Sequence, residues 1–80
     1  MVRQLLERER ERNRLVELLT SRERQVVSRI ARGLRNREIA ENLHISEGTV
    51  KIHLHNIYEK LGVDGRLVLA LRVRDLDLAE

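Results

Sequence analysis

Between Ser46 and Gly62 the apolar residues recur with the period of an α-helix. Val50, Leu54, Ile57 and Leu61 follow the spacing i, i+4, i+7, i+11. On a helical wheel they fall within about 60° of one another, a stripe that must be buried against a core. The chain therefore has to supply other helices for this one to pack on. Ile52 points almost the opposite way, among Lys51, His55, Asn56 and Glu59. A single exposed apolar residue is ordinary on a surface. One flanked by Lys and His on a short helix is also a candidate reader of something outside the protein.

What surrounds that helix is limited by composition. The chain of 80 residues has no Cys and no Pro, and Tyr58 is its only aromatic. The core must then be aliphatic, without disulfide or thiolate–metal support. A chain this short makes one small domain, and its wealth of Leu, Val, Ala and charged residues favours helices. The fold class expected is all-α. No apolar run approaches about 18 residues and no signal peptide is visible, so a soluble, cytoplasmic chain is expected.

The formal net charge is +3, and the excess is uneven. Residues 1–20 carry five Arg against four Glu, residues 21–66 nine basic against six acidic groups, and residues 67–80 two against three. The positive excess sits in the middle, around the helix just described. That fits a polyanionic partner, although charge alone does not demand one.

Punctuation divides the rest. In the opening segment MVRQLLERERERNRLVELL no apolar residue stands between Leu6 and Leu15. Alternating Glu and Arg give opposite charges at i, i+3 but like charges at i, i+4, which largely cancel. Glu9 and Arg12 stand where a heptad seam needs apolar residues, which argues against a coiled coil. Residues 1–18 read as a solvated linker helix docking near Leu15–Leu19, and a linker at the start suggests a piece of a longer protein. The packed domain, 19–80, begins with TSRE, a capping box of Thr20 and Glu23. Val26, Ile30 and Leu34 share one face, and Gly33 ends that helix. A two-turn helix follows with Asn36 as N-cap, through Ile39, Ala40 and Leu43. After the short turn HIS, Ser46 caps the Val50–Leu61 helix, and a last helix starts at Asp64. Two short helices, a tight turn and the small Ala40 at their crossing make a helix-turn-helix. A generic helical bundle would account for the buried stripe but not for the opposite face.

Residues 19–63, LTSRERQVVSRIARGLRNREIAENLHISEGTVKIHLHNIYEKLGV, resemble the LuxR-type helix-turn-helix domain of the NarL/FixJ class of bacterial transcription regulators. The elements LT-x-RE, G-x-x-N-x-EIA, IS-x-x-TVK-x-H and KLGV stand in the family's order and spacing. Arg35 departs from the Ser or Thr the family more often places before the Asn. The resemblance implies a four-helix domain preceded by a linker helix, serving as the sequence-specific DNA-binding output of a response regulator, with a receiver domain N-terminal to it. It implies base contacts from Lys51, Ile52 and His55 and phosphate contacts from Thr49 and the start of the 36–43 helix, taken as Arg35, Asn36 and Arg37. A major groove accommodates one helix, Lys can donate to guanine, and an aliphatic side chain can meet a thymine methyl. Solvated Lys51 and idle Ile52 are the plain alternatives, and for His55, and for Asn56 as a further candidate phosphate contact, plain solvation weighs equally. His53, beside the Leu54 stripe, reads as a boundary residue, and Arg66 as a partner for an acid such as Glu38 or for a phosphate.

Other classes fit less well. His53 and His55 point roughly 200° apart on a helix and lack a third ligand, so no metal site and no cofactor are expected. No phosphate loop or nucleophile–base pattern suggests an enzyme. A sigma-factor region 4 shares part of the pattern but typically continues with further arginines, and a helical protein-interaction module remains a third reading. In the last helix, Leu67, Ala70, Leu71 and Leu78 form one stripe and Leu69, Val73 and Leu76 another about 200° away. The first is expected to close the core. The second is expected to form a homodimer interface, engaged on DNA rather than in the free domain, with an inverted-repeat target. Alternatively the linker helix folds back and covers that second stripe with Leu15, Leu18 or Leu19.

Overall fold

The structure is a computed structural model that describes residues 2–76. The described residues form helices α1 (Val2–Leu18), α2 (Ser21–Ala31), α3 (Asn36–Leu43), α4 (Glu47–Leu61) and α5 (Arg66–Leu76), with no strand among them. The all-α expectation and the element order hold. α4 lies against both α2 and α3, while α5 packs on α2 and on α1.

Each boundary has a local cause. At α2 the Glu23 N–H donates to Thr20 Oγ1 (3.1 Å) and the Thr20 N–H donates to Glu23 Oε1 (2.8 Å), completing the expected box. Gly33 takes φ +83° just beyond the helix. α4 begins where Ser46 Oγ accepts from the Thr49 N–H (3.0 Å). It ends at Gly62, φ +65°, with the Val63 N–H bonded to the Tyr58 carbonyl (3.1 Å). Val63 is buried, so the αL turn and its apolar contact together close the helix. The α3–α4 turn works alike, except that His44 holds the left-handed position (φ 58°, ψ 45°) that Gly would occupy without strain.

Two boundaries differ from expectation. Asn36 is the first residue of α3, not its N-cap. Arg35 occupies the cap with extended backbone (φ −82°, ψ 162°), because Glu38 Oε1 reaches back to the Arg35 N–H (2.9 Å). An arginine side chain has no acceptor to return that bond. α5 begins at Arg66 rather than Asp64, its first turn closed by the Leu69 N–H on the Gly65 carbonyl (2.9 Å).

The core is one aliphatic cluster. α2 contributes Val26, Val27 and Ile30, α3 contributes Ile39, Ala40 and Leu43, and α4 contributes Val50, Leu54, Ile57 and Leu61, all buried. The stripe read from the sequence of α4 is thus the buried one. Each fully buried aliphatic side chain contributes about 1.5–3 kcal/mol relative to exposure, so α4 is held from behind and its other face is left open.

The last helix is turned the other way from expectation. Leu69 and Val73, expected at a dimer interface, are 0% and 1% exposed and belong to the core. Leu67 and Leu71, expected to close the core, are exposed, and Ala70 is half-buried. The side chain of Leu76, like Leu78, lies outside the described residues. Apolar residues occur on every side of α5, so periodicity could not choose between its faces. What decides is contact with α2 and α1. Leu15 and Leu19 enter the same core as Leu69 and Val73, whereas Leu18 is exposed. Arg8–Asp75 (3.4 Å) and Arg72–Glu11 (3.3 Å) join α1 to α5 at the surface. Such solvent-exposed pairs are worth little individually, so the buried Leu15 and Leu19 carry the docking.

Candidate nucleic-acid interface

Because Val50, Leu54, Ile57 and Leu61 fix α4 by one side, the residues between them project outward. Lys51, Ile52 and His55 are exposed, Ile52 at 63%. Asn56 and Thr49 are half-buried at the margins of that face. Thr49 Oγ1 lies 2.9 Å from Ser46 Oγ, so the hydroxyl is oriented by the same residue that caps the helix. His55 Nε2 lies 3.2 Å from Glu59 Oε1 one turn on. Glu59 belongs to this outward face and was not among the expected contacts. His53 is half-buried, as its place beside Leu54 implied.

A second group stands at the start of α3. Arg35 and Arg37 are exposed, and Arg37 Nε approaches Glu41 Oε1 at 3.3 Å. Asn36 is half-buried, and its Oδ1 accepts from Arg66 Nη1 at 2.6 Å. The N–H groups of the first helical residues have no intrahelical acceptor, and the helix dipole puts partial positive charge there. Arg66 was expected to pair with Glu38. It reaches instead the Asn36 amide and the Leu34 carbonyl, while Glu38 accepts from the Arg35 N–H. No signal in the sequence alone pairs residues thirty positions apart.

Lys60 Nζ donates to Glu23 Oε1 at 2.6 Å. Burial by itself would raise the Glu23 carboxyl. The Lys60 ammonium and the Thr20 N–H outweigh that effect and hold it below its ordinary value. This pair fastens the end of α4 to the start of α2.

Among the described residues no cluster of His or acidic side chains could hold a metal ion, and no helix is long and apolar enough to cross a membrane. The assembled features are a helix-turn-helix with an open polar face, an exposed aliphatic residue in its centre and arginines at the neighbouring helix start.

Comparison with known proteins agrees with that geometry. Residues 17–73 match the family described as bacterial regulatory proteins, luxR family. The chain is 51% identical over 63 residues to a nitrate/nitrite response regulator protein homolog of Haemophilus influenzae, covering 79% of this chain and 30% of that protein. It is 51% identical over 53 residues to the transcriptional regulatory protein LnrK of Bacillus subtilis, 66% of this chain and 24% of the relative. It is 47% identical over 57 residues to the transcriptional regulatory protein UhpA of Escherichia coli, 71% of this chain and 29% of the relative. The chain thus spans less than a third of the length of these relatives. It belongs to the LuxR family of bacterial regulatory proteins, as a helix-turn-helix DNA-binding domain.

Proposed function

We propose that this domain is the output of a cytoplasmic two-component response regulator, with a receiver domain N-terminal to it in the full-length protein, and that α4 enters the major groove of duplex DNA. The observation that carries the reading is Ile52, 63% exposed between Lys51 and His55 on a helix whose opposite face is fully packed. Lys51 donates to a guanine edge, Ile52 meets a thymine methyl, and His55 lies over a neighbouring base. Thr49, Arg35, Asn36, Arg37 and Asn56 bind the phosphate backbone, fixing register without reading sequence. Two copies pair on DNA over an inverted repeat, with recognition helices about one helical turn apart. With Leu69 and Val73 in the core, pairing falls to the exposed side of α5, where Leu67 and Val68 stand in one turn and Leu71 in the next.

Selection of bound duplexes from a random pool, followed by a salt titration on the selected duplex, tests this. Affinity is expected to fall steeply with salt, as counterions are released from each contacted phosphate. Affinity that stays constant across the titration, or a pool that remains unenriched, would refute it.

A further inference from the structure

Arg66 stands outside both groups of DNA contacts, yet it holds one of them from behind. Its guanidinium projects from the first turn of α5 and bridges two acceptors before and at the start of α3, the Leu34 carbonyl and Asn36 Oδ1. The residues so bridged bracket Arg35 and lead directly to Arg37. Leu34 and Asn36 are both half-buried, and so is Arg66, so these charge-assisted bonds are partly shielded from water.

We propose that Arg66 is a positioning residue for DNA binding, which sets the Asn36 amide so that its Nδ2 donors are left for a backbone phosphate. An amide whose oxygen is unengaged can turn either end outward, and only the nitrogen end can donate to an anion. With Oδ1 committed to Arg66, the amide is fixed with its donors free. Among the described residues Asn36 Nδ2 donates to no protein acceptor. The guanidinium is suited to this because its planar fork can serve two acceptors at once, whereas an ammonium is a point donor. The neighbouring Glu38 carboxylate is turned back onto the Arg35 N–H. The ordering of Asn36 is therefore completed before DNA arrives, which lowers the entropy lost on binding. This inference rests on the DNA-binding reading above.

The test is a double-mutant cycle on the 80-residue chain, using Arg66→Ala, Asn36→Ala and the double variant, with Arg66→Lys as the form that keeps the charge. Binding is measured to a selected duplex and to an unrelated one, and folding is checked by thermal melting. Arg66→Ala and Asn36→Ala are each expected to weaken both duplexes by about three- to tenfold, the loss of one hydrogen bond. The double variant is expected to be no weaker than either single one, with base preference unchanged. Arg66→Lys is expected to melt close to wild type and still lose a similar factor. Additive losses in the double variant, or wild-type affinity in Arg66→Lys, would overturn the positioning role while leaving the DNA reading intact. A wild-type chain that binds neither duplex would overturn both.

Discussion

Replacing Leu69 and Leu71 by Ala, one at a time, separates the two sides of α5. Leu69 is 0% exposed, in the same core as Leu15, Leu19 and the α4 stripe. Leu69→Ala removes its transfer free energy and leaves a cavity, together about 2–5 kcal/mol. A domain of this size is stable by only about 4–12 kcal/mol, so a large share of its stability is at stake. At about 4–8 °C per kcal/mol for a small domain, the melting temperature should fall by roughly 10 °C or more. Leu71 is 56% exposed. Leu71→Ala should change stability by no more than about 0.5 kcal/mol and lower the melting temperature by only a few degrees, while cooperative binding to paired half-sites weakens. Thermal melting by circular dichroism reads the first effect and titration of single and paired half-sites the second. Leu69→Ala that melts like wild type yet loses cooperativity would show that α5 faces the opposite way.

Glu23 has a folded-state pKa below its ordinary value, so its stabilisation is fully present above about pH 4.5 and is lost as pH falls through the folded value. Urea unfolding should therefore show Glu23→Gln clearly less stable than wild type near neutrality, with the gap narrowing on acidification; a gap independent of pH would contradict the Lys60 pairing. His44→Gly relieves a left-handed backbone position and should raise stability by about 0.5–1 kcal/mol, after the greater unfolded-state freedom of Gly is deducted. A fall in melting temperature would show that the imidazole makes a compensating contact.

Local signals in the sequence were sufficient wherever one interaction determines the outcome. The Thr20–Glu23 box, the Ser46 cap, the Gly62 stop and the Val50–Leu61 stripe each depend on residues within a few positions, and each is present as expected. The exposure of Ile52 followed from the same wheel. The errors arise where a distant partner decides. The orientation of α5 depends on α1 and α2, because its own apolar residues surround the axis. The role of Asn36 depends on Arg66, which draws its side chain away from the cap, while Glu38 moves the cap to Arg35. The Glu23–Lys60 pair joins two helices, and neither residue's neighbours in sequence announce it. The outward side chains on α4 were identifiable because a helix packed along one stripe leaves its other face open. Their partner could be inferred from chemistry and resemblance, but not from periodicity.

In the proposed complex α4 reads bases while the start of α3 holds the backbone. Binding energies of wild type, Lys51→Ala and Arg37→Ala, measured across every single-base-pair variant of a selected duplex at fixed salt, test it most directly. Lys51→Ala should weaken the preferred duplex by roughly 1–3 kcal/mol and flatten preference at one base pair. Arg37→Ala should weaken all variants alike and reduce the salt slope by about one unit. A changed base preference in Arg37→Ala, with the wild-type preference profile retained in Lys51→Ala, would refute this division of roles.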